Sequence, residues 1–258
     1  MRTQRKRSDS DIYHVISRGT GRQLIFEDDD DRVVFLNLLA KNTAQTSVDV
    51  YAWCLMGNHV HLLLHAPLTQ ISKCMKNLCG QYAQYYNKRH ARVGHLFQER
   101  FKSEPIEDES YLLVVARYIH FNPQKAGVAN QQDYPWSSYR EYAGKTNSQR
   151  ICACDLLLDL FGGKKGFIAF HDGHTIEEAC MDVDAPRSAT SAMPDEQAIA
   201  LAKRALGCQK INDLKSLPRA MRNSYLEELR AAGLSIRQIE RLTGISRGII
   251  QNVAKHDK

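Results

Sequence analysis

Along the first half of the chain the spacing of apolar residues switches between a two-residue and a 3.6-residue period, and each switch marks an element. Ile12 to Ser17 (IYHVIS) is β-branched and aromatic and reads as a strand. After the acidic run Asp28 to Asp31, residues 32–41 carry Val33, Leu36, Leu39 and Ala40 at helical spacing, with carboxylates at the end that the helix dipole favours. VDVYAWCLM and HVHLLLHA are apolar strand-like runs joined through Gly57 and Asn58, a hairpin turn. Ile71, Met75, Leu78, Tyr82, Tyr85 and Tyr86 share one face of a helix over residues 71–90. HLFQERFKSEPIE is extended in character. SYLLVVARYIHFNP is a helix that Pro123 is expected to close, because the residue before a proline is pushed out of the helical region.

This order of strand, helix, strand, strand, helix, strand, helix predicts an α+β, ferredoxin-like antiparallel sheet with helices on one face, over residues 1–143. Residues 144–194 lose the periodicity and hold Gly162, Gly163, Gly166 and a Ser/Ala/Pro run from Ala185 to Pro194, so they read as a connecting region ending in a flexible linker. From Asp195 the pattern is helical again, which makes 195–258 a third unit. Within it, residues 236–255 have the pattern of a helix-turn-helix. Gly244 permits the turn, Ile239, Ile245, Ile250 and Val253 supply packing positions, and Ser246 suits an N-cap. The second helix would then expose Arg247, Gln251 and Asn252, side chains able to read base edges in duplex DNA. Glu240 departs from the pattern, standing where the two helices approach and alanine is common.

The composition, 258 residues with 43% hydrophobic and 25% charged, suits globular cores of ordinary size. No run reaches the roughly 18 uncharged apolar residues of a membrane span. The basic N-terminus MRTQRKR leads into SDSD instead of an apolar signal core, so a cytoplasmic protein is expected. Seven cysteines form no C-x-x-C pair and are expected as reduced thiols. The net charge of +6 is unevenly spread. Residues 1–150 hold 20 Lys and Arg against 15 Asp and Glu, residues 151–194 hold 3 against 7, and residues 195–258 hold 12 against 7. Two basic blocks around an acidic one fit a polyanionic partner as well as they fit a solvated surface.

Two features sharpen the choice. His59 and His61 are two apart on a strand, so both imidazoles point to one face and can chelate a divalent ion, although two ligands seldom suffice. A pair of half-buried strand histidines would look the same. Tyr118 and Asn122 are four apart on the last helix of the first unit, which puts a phenol and an amide oxygen on one face. An ion held by His59, His61 and Asn122 could polarise a phosphate for attack by Tyr118. With an unperturbed pKa of about 10, the phenol needs activation; Arg117, Arg100 and Lys102 are basic groups nearby in sequence. Tyr111, two turns before Tyr118, is a competing nucleophile without an amide one turn later. His65 shares the strand face of His61, and His120 points away from Tyr118. For the DNA backbone, the arm Arg5, Lys6 and Arg7, with Arg2 before it, and the strand-flanking Arg18, Arg22, Arg100 and Lys102 are candidates.

The segments YHVISRG, GNHVHLLL, GHLFQERFKS and YIHFNP, in this order over residues 10–143, resemble the catalytic domain of the single-tyrosine transposases of the histidine-hydrophobic-histidine class, and among them the REP-associated branch. The resemblance implies Mg²⁺ or Mn²⁺ at His59 and His61, completed by Asn122, with Tyr118 as nucleophile. It also implies single-stranded hairpin DNA as substrate, cut through a 5′-phosphotyrosine, by a monomer or a dimer. A non-catalytic DNA-binding regulator using the helix-turn-helix, and a phosphodiesterase with no covalent step, stand as alternatives.

Overall fold

The computed structural model describes residues 5–145, 150–172, 180–181, 193, 195–207 and 210–253. Four strands, β1 (Ile12–Arg18), β2 (Asp49–Leu55), β3 (His59–His65) and β4 (Lys102–Pro105), form one sheet in the order β2-β3-β1-β4, with every pair antiparallel. Between them run α1 (Asp29–Thr46) and α2 (Leu68–Arg89), and after β4 comes α3 (Glu109–Lys125). The acidic run caps α1: the Asp28 side chain accepts from Asp31 N, and Asp29, Asp30 and Asp31 fill the first turn. Arg89 from the end of α2 pairs with Asp28, Asp30 and Asp31, which ties the start of α1 to the end of α2.

The expectation of helices on one face is corrected. Side chains alternate along β1, so Ser17 and His14 point to opposite sides. Ser17 meets Cys79 of α2, whereas His14 meets the ring of Tyr118 on α3. Helix α2 therefore covers one face and α3 the other. The reason lies in the sequence: both faces of β1 and β3 are buried, with Tyr13, Val15, Leu62 and Leu64 on one side and His14, Ile16, His61 and Leu63 on the other, so each needs a cover.

Pro123 does not close α3, which runs on to Lys125. Proline removes one backbone donor, the N–H that Ile119 O would otherwise accept. The side chain of Asn122 compensates in part, donating through Nδ2 to Tyr118 O at 2.9 Å and to Ile119 O at 3.5 Å.

Residues 151–171, expected in a connecting region, instead belong to the first core. After α4 (Tyr139–Tyr142) come α5 (Asp155–Leu160) and α6 (Gly163–Asp172), whose Leu157 and Phe167 are fully buried in it with Cys152 and Cys154. Glu141 organises this region, accepting from Trp53 Nε1, Ile151 N and Cys152 N. The aromatic rings of Phe161 and Phe167 are what the glycine-marked loss of periodicity concealed. The expected linker from 185 to 194 lies outside the described residues except for Met193.

The C-terminal helices α7 (Asp195–Leu206), α8 (Arg219–Ala231), α9 (Ile236–Thr243) and α10 (Arg247–Val253) build a second core from Ile199, Leu214, Leu226, Leu229, Ile239, Ile245, Ile250 and neighbours. Ser235 and Gln238 form a reciprocal capping box at the start of α9, and Gly244 ends it at φ 66°, a conformation that favours glycine. Leu24, from the loop after β1, is buried in this second core, which makes the two units interlock. The six described cysteines are free thiols. Among the described residues no helix is long and apolar enough to cross a membrane.

Candidate active site

The tight turn Met56-Gly57-Asn58 delivers His59 and His61 at the start of β3, with Met56 N donating to His59 O. Their rings lie 5.0 Å apart, centroid to centroid, and both are buried. Asn58 Oδ1 sits 2.6 Å from His59 Nδ1, and the Asn58 amide is itself anchored on Arg22 O. Burial first, then the neighbouring His59 and His14, pushes the pKa of His61 well down, so this imidazole is neutral, the form that ligates a metal. His61 Nε2 is a buried atom without a hydrogen-bond partner among the described residues.

On the covering helix, Asp108 caps the first turn by accepting from Tyr111 N. Two and a half turns later the Tyr118 ring meets the histidines edge-on, 5.8 Å from His61 and 6.0 Å from His14. The ammonium of Lys125 lies 5.0 Å from the centre of the same ring. With its amide nitrogen committed to the helix backbone, Asn122 keeps its carbonyl oxygen outside those bonds.

These donors are a mixed nitrogen and oxygen set for a divalent cation. The two imidazoles favour a transition ion and the neutral amide oxygen a harder one such as Mg²⁺ or Mn²⁺, and His61 Nε2, buried and without a hydrogen-bond partner among the described residues, is an atom that gains from a ligand. Among the described residues no three His, Cys, Asp or Glu are grouped to hold an ion.

The other candidates are dispersed. Arg117, considered as an activator, is buried with its guanidinium over the Phe170 ring, whereas Lys125, seven residues on from Tyr118, stands over the Tyr118 ring. Tyr111 is engaged by Glu104, and burial pushes its pKa up. His65 stacks on Tyr51 and faces Asp49, and His120 bonds His171 and Ser138 in an aromatic cluster. Arg5 donates to Phe101 O and stacks on that ring, while Lys6, Arg7, Arg100 and Lys102 are exposed. Arg2 lies outside the described residues. Arg247, Gln251 and Asn252 are exposed on α10, and the Arg247 side chain bonds Glu240 across the turn, which accounts for a carboxylate where the helices approach.

The start of α7 borders the histidines. Asp195 pairs with Arg18 at 3.3 Å, Arg22 at 3.2 Å and Arg241 at 2.9 Å. Glu196 accepts from Gly57 N and Asn58 N and stands 3.8 Å from His59 Nδ1. A Cβ on Gly57 would come 3.2 Å from Glu196 Oε2, so glycine allows this close approach.

Residues 8–122 match the family described as IS200-like transposases, an interval that holds β1, the two histidines of β3, Tyr118 and Asn122. That interval is a little under half of the chain, and over it the chain is similar to the IS200-like transposases. A candidate REP-associated tyrosine transposase of Haemophilus influenzae is 29% identical over 105 residues, covering 35% of this chain and 58% of that protein, so the similarity spans little more than half of the relative. Among solved structures, a REP-associated tyrosine transposase bound to a REP hairpin is similar at TM-score 0.42 and 14% identity, covering 60% of this chain and 93% of that one. A candidate transposase of Deinococcus radiodurans is similar at TM-score 0.32 and 19% identity, covering 46% and 95%. The matched interval ends at the Asn122 turn of α3, so the aromatic cluster of α6 and the whole C-terminal bundle lie beyond it.

Proposed function

We propose that the protein is a metal-dependent, single-strand DNA endonuclease and strand transferase that acts on hairpin-forming palindromic DNA through a covalent tyrosine intermediate. The observation that carries this reading is the packing of the Tyr118 ring against His61, beside His59, on a buried face of the sheet.

His59, His61 and the Asn122 oxygen would hold Mg²⁺ or Mn²⁺, which supplies Lewis-acid stabilisation of charge on a scissile phosphate. Tyr118 is the nucleophile. Its phenolic oxygen forms a bond to phosphorus, the bond from phosphorus to the 3′-oxygen breaks, and the phenolic proton ends, in net terms, on the released 3′-hydroxyl. The 5′-phosphotyrosine keeps the bond energy, so a 3′-hydroxyl can reverse the step and join the strand. Lys125 over the Tyr118 ring favours negative charge developing on the phenol. The Asn122 amide nitrogen bonds its own helix, which supports a role for its oxygen toward the ion.

The DNA backbone is read as running over Arg18, Arg100 and Lys102, with the arm Arg5, Lys6 and Arg7 alongside. At Arg18 a phosphate has to take the place of Asp195. The exposed face of α10 supports a further duplex contact through Arg247, Gln251 and Asn252, in the manner of a helix-turn-helix. Were that contact the sole activity, the protein would be a DNA-binding regulator, indifferent to the histidines.

Incubation with labelled hairpin DNA and Mn²⁺ should leave a covalent protein–DNA adduct that Tyr118→Phe abolishes and His61→Ala suppresses. An adduct that survives Tyr118→Phe overturns the assignment of the nucleophile, and hydrolysis without any adduct overturns strand transfer.

A further inference from the structure

His14 was not among the residues that the sequence pattern picked out, yet it is fully buried in the middle of β1 and touches the site directly. Its Nε2 lies 2.9 Å from His61 Nδ1, with the rings stacked at 5.2 Å. Its other nitrogen, Nδ1, faces Glu104 Oε2 at 3.8 Å, across the β1–β4 register that pairs these two residues. Glu104 is held in turn by Met181 N, which donates to Oε2.

The order of these groups selects a tautomer. A carboxylate beside His14 Nδ1 favours the proton on that nitrogen, which leaves Nε2 of His14 as an acceptor. His61 Nδ1 must then carry the proton and donate it, and the lone pair of His61 falls on Nε2, a buried atom without a hydrogen-bond partner among the described residues. His59 reaches the same state by a shorter route, because Asn58 Oδ1 accepts only and places the His59 proton on Nδ1. Outer partners of this kind fix the orientation and tautomer of metal-ligating histidines.

We propose that Glu104 and His14 form a positioning relay that holds His61 in the Nδ1-protonated tautomer and presents its Nε2 lone pair to the divalent ion. The inference rests on reading His59 and His61 as the ion's ligands. It makes His14 a positioning residue, since it acts through His61 and not on DNA.

The direct readout needs no metal: ¹⁵N NMR of the full chain in chelator reports which nitrogen of His61 is protonated. The expected result is protonation at Nδ1 in the unsubstituted protein and a shift toward Nε2 in His14→Phe, which keeps an aromatic ring but offers no acceptor. Mn²⁺ affinity, measured by calorimetry, should fall about 10- to 100-fold in His14→Phe. His14→Gln, whose amide oxygen can accept from His61 Nδ1, should recover most of it. Protonation of His61 at Nε2 in the unsubstituted protein overturns the relay even if His14→Phe fails to fold. Unchanged Mn²⁺ affinity in His14→Phe alone also overturns the relay, whereas unchanged affinity in His61→Ala overturns the ligand reading beneath it.

Discussion

Asp195 is the residue whose replacement tests most directly how the C-terminal bundle is joined to the first unit. Its carboxylate, with a side chain only 7% exposed, contacts three guanidinium groups at 2.9–3.3 Å, of which Arg18 is 11%, Arg241 30% and Arg22 36% exposed. Breaking a buried ion pair costs about 3–5 kcal/mol, whereas an exposed pair contributes about 0–1 kcal/mol. Here the carboxylate is buried and two of its three partners are screened by solvent, which places Asp195→Asn at about 2 kcal/mol of lost stability. Were the chain to unfold in one step, its melting temperature would fall by about 4–8 °C. The two tryptophans, Trp53 and Trp136, both lie in the first unit, so their fluorescence reports that unit while far-ultraviolet circular dichroism reports both. In urea the substituted protein should show the helical signal melting ahead of the tryptophan signal. A double-mutant cycle with Arg241→Gln should return a coupling of about 1 kcal/mol. Because Arg18 gains freedom for a phosphate, hairpin DNA should bind more tightly, read by fluorescence anisotropy. A stability change under about 0.5 kcal/mol, the size of an ordinary surface substitution, refutes the structural argument. Unchanged or weaker DNA binding refutes the competition at Arg18.

Three further outcomes are expected. Glu27 is buried with Oε1 lacking a hydrogen-bond partner among the described residues, and burial raises its pKa to about 7 against the pull of Lys203 and His90. The folded state keeps a proton that the unfolded chain loses above about pH 4.5, so this group makes stability fall as pH rises from about 4.5 to 7 and no further. Glu27→Gln should therefore gain on the unsubstituted protein by up to about 3 kcal/mol at pH 8 and by little at pH 4.5, as urea midpoints at both values will show. Lys125→Met should slow adduct formation about tenfold, equivalent to about 1.4 kcal/mol, with hairpin affinity within about twofold. A parallel loss of affinity would make Lys125 a DNA contact instead. Asn122→Ala removes both the carbonyl oxygen and the donor that compensates Pro123, so it should weaken Mn²⁺ binding in calorimetry and cost about 1 kcal/mol of stability.

What the sequence made legible and what it hid divide along a physical line. The strands, the two-residue spacing of His59 and His61 and the four-residue spacing of Tyr118 and Asn122 follow from periods that act within one element, and the structure places these residues in the elements expected. Partners across elements leave no such trace. His14 reaches His61 through strand pairing 47 positions away, and Asp195 reaches Arg18 from 177 positions away, so neither contact produces a local pattern. Pro123 misled for the opposite reason, because a strong local rule was offset by one side chain, Asn122, that the rule does not include. The same residue then carries two duties. Its nitrogen repairs a helix that proline would otherwise weaken, and on the proposed function its oxygen would serve a cation. A glutamine in its place could offer an oxygen on a longer tether. Its nitrogen would lose the short reach to Tyr118 O, so the geometry of the site and the continuity of α3 through Pro123 are linked.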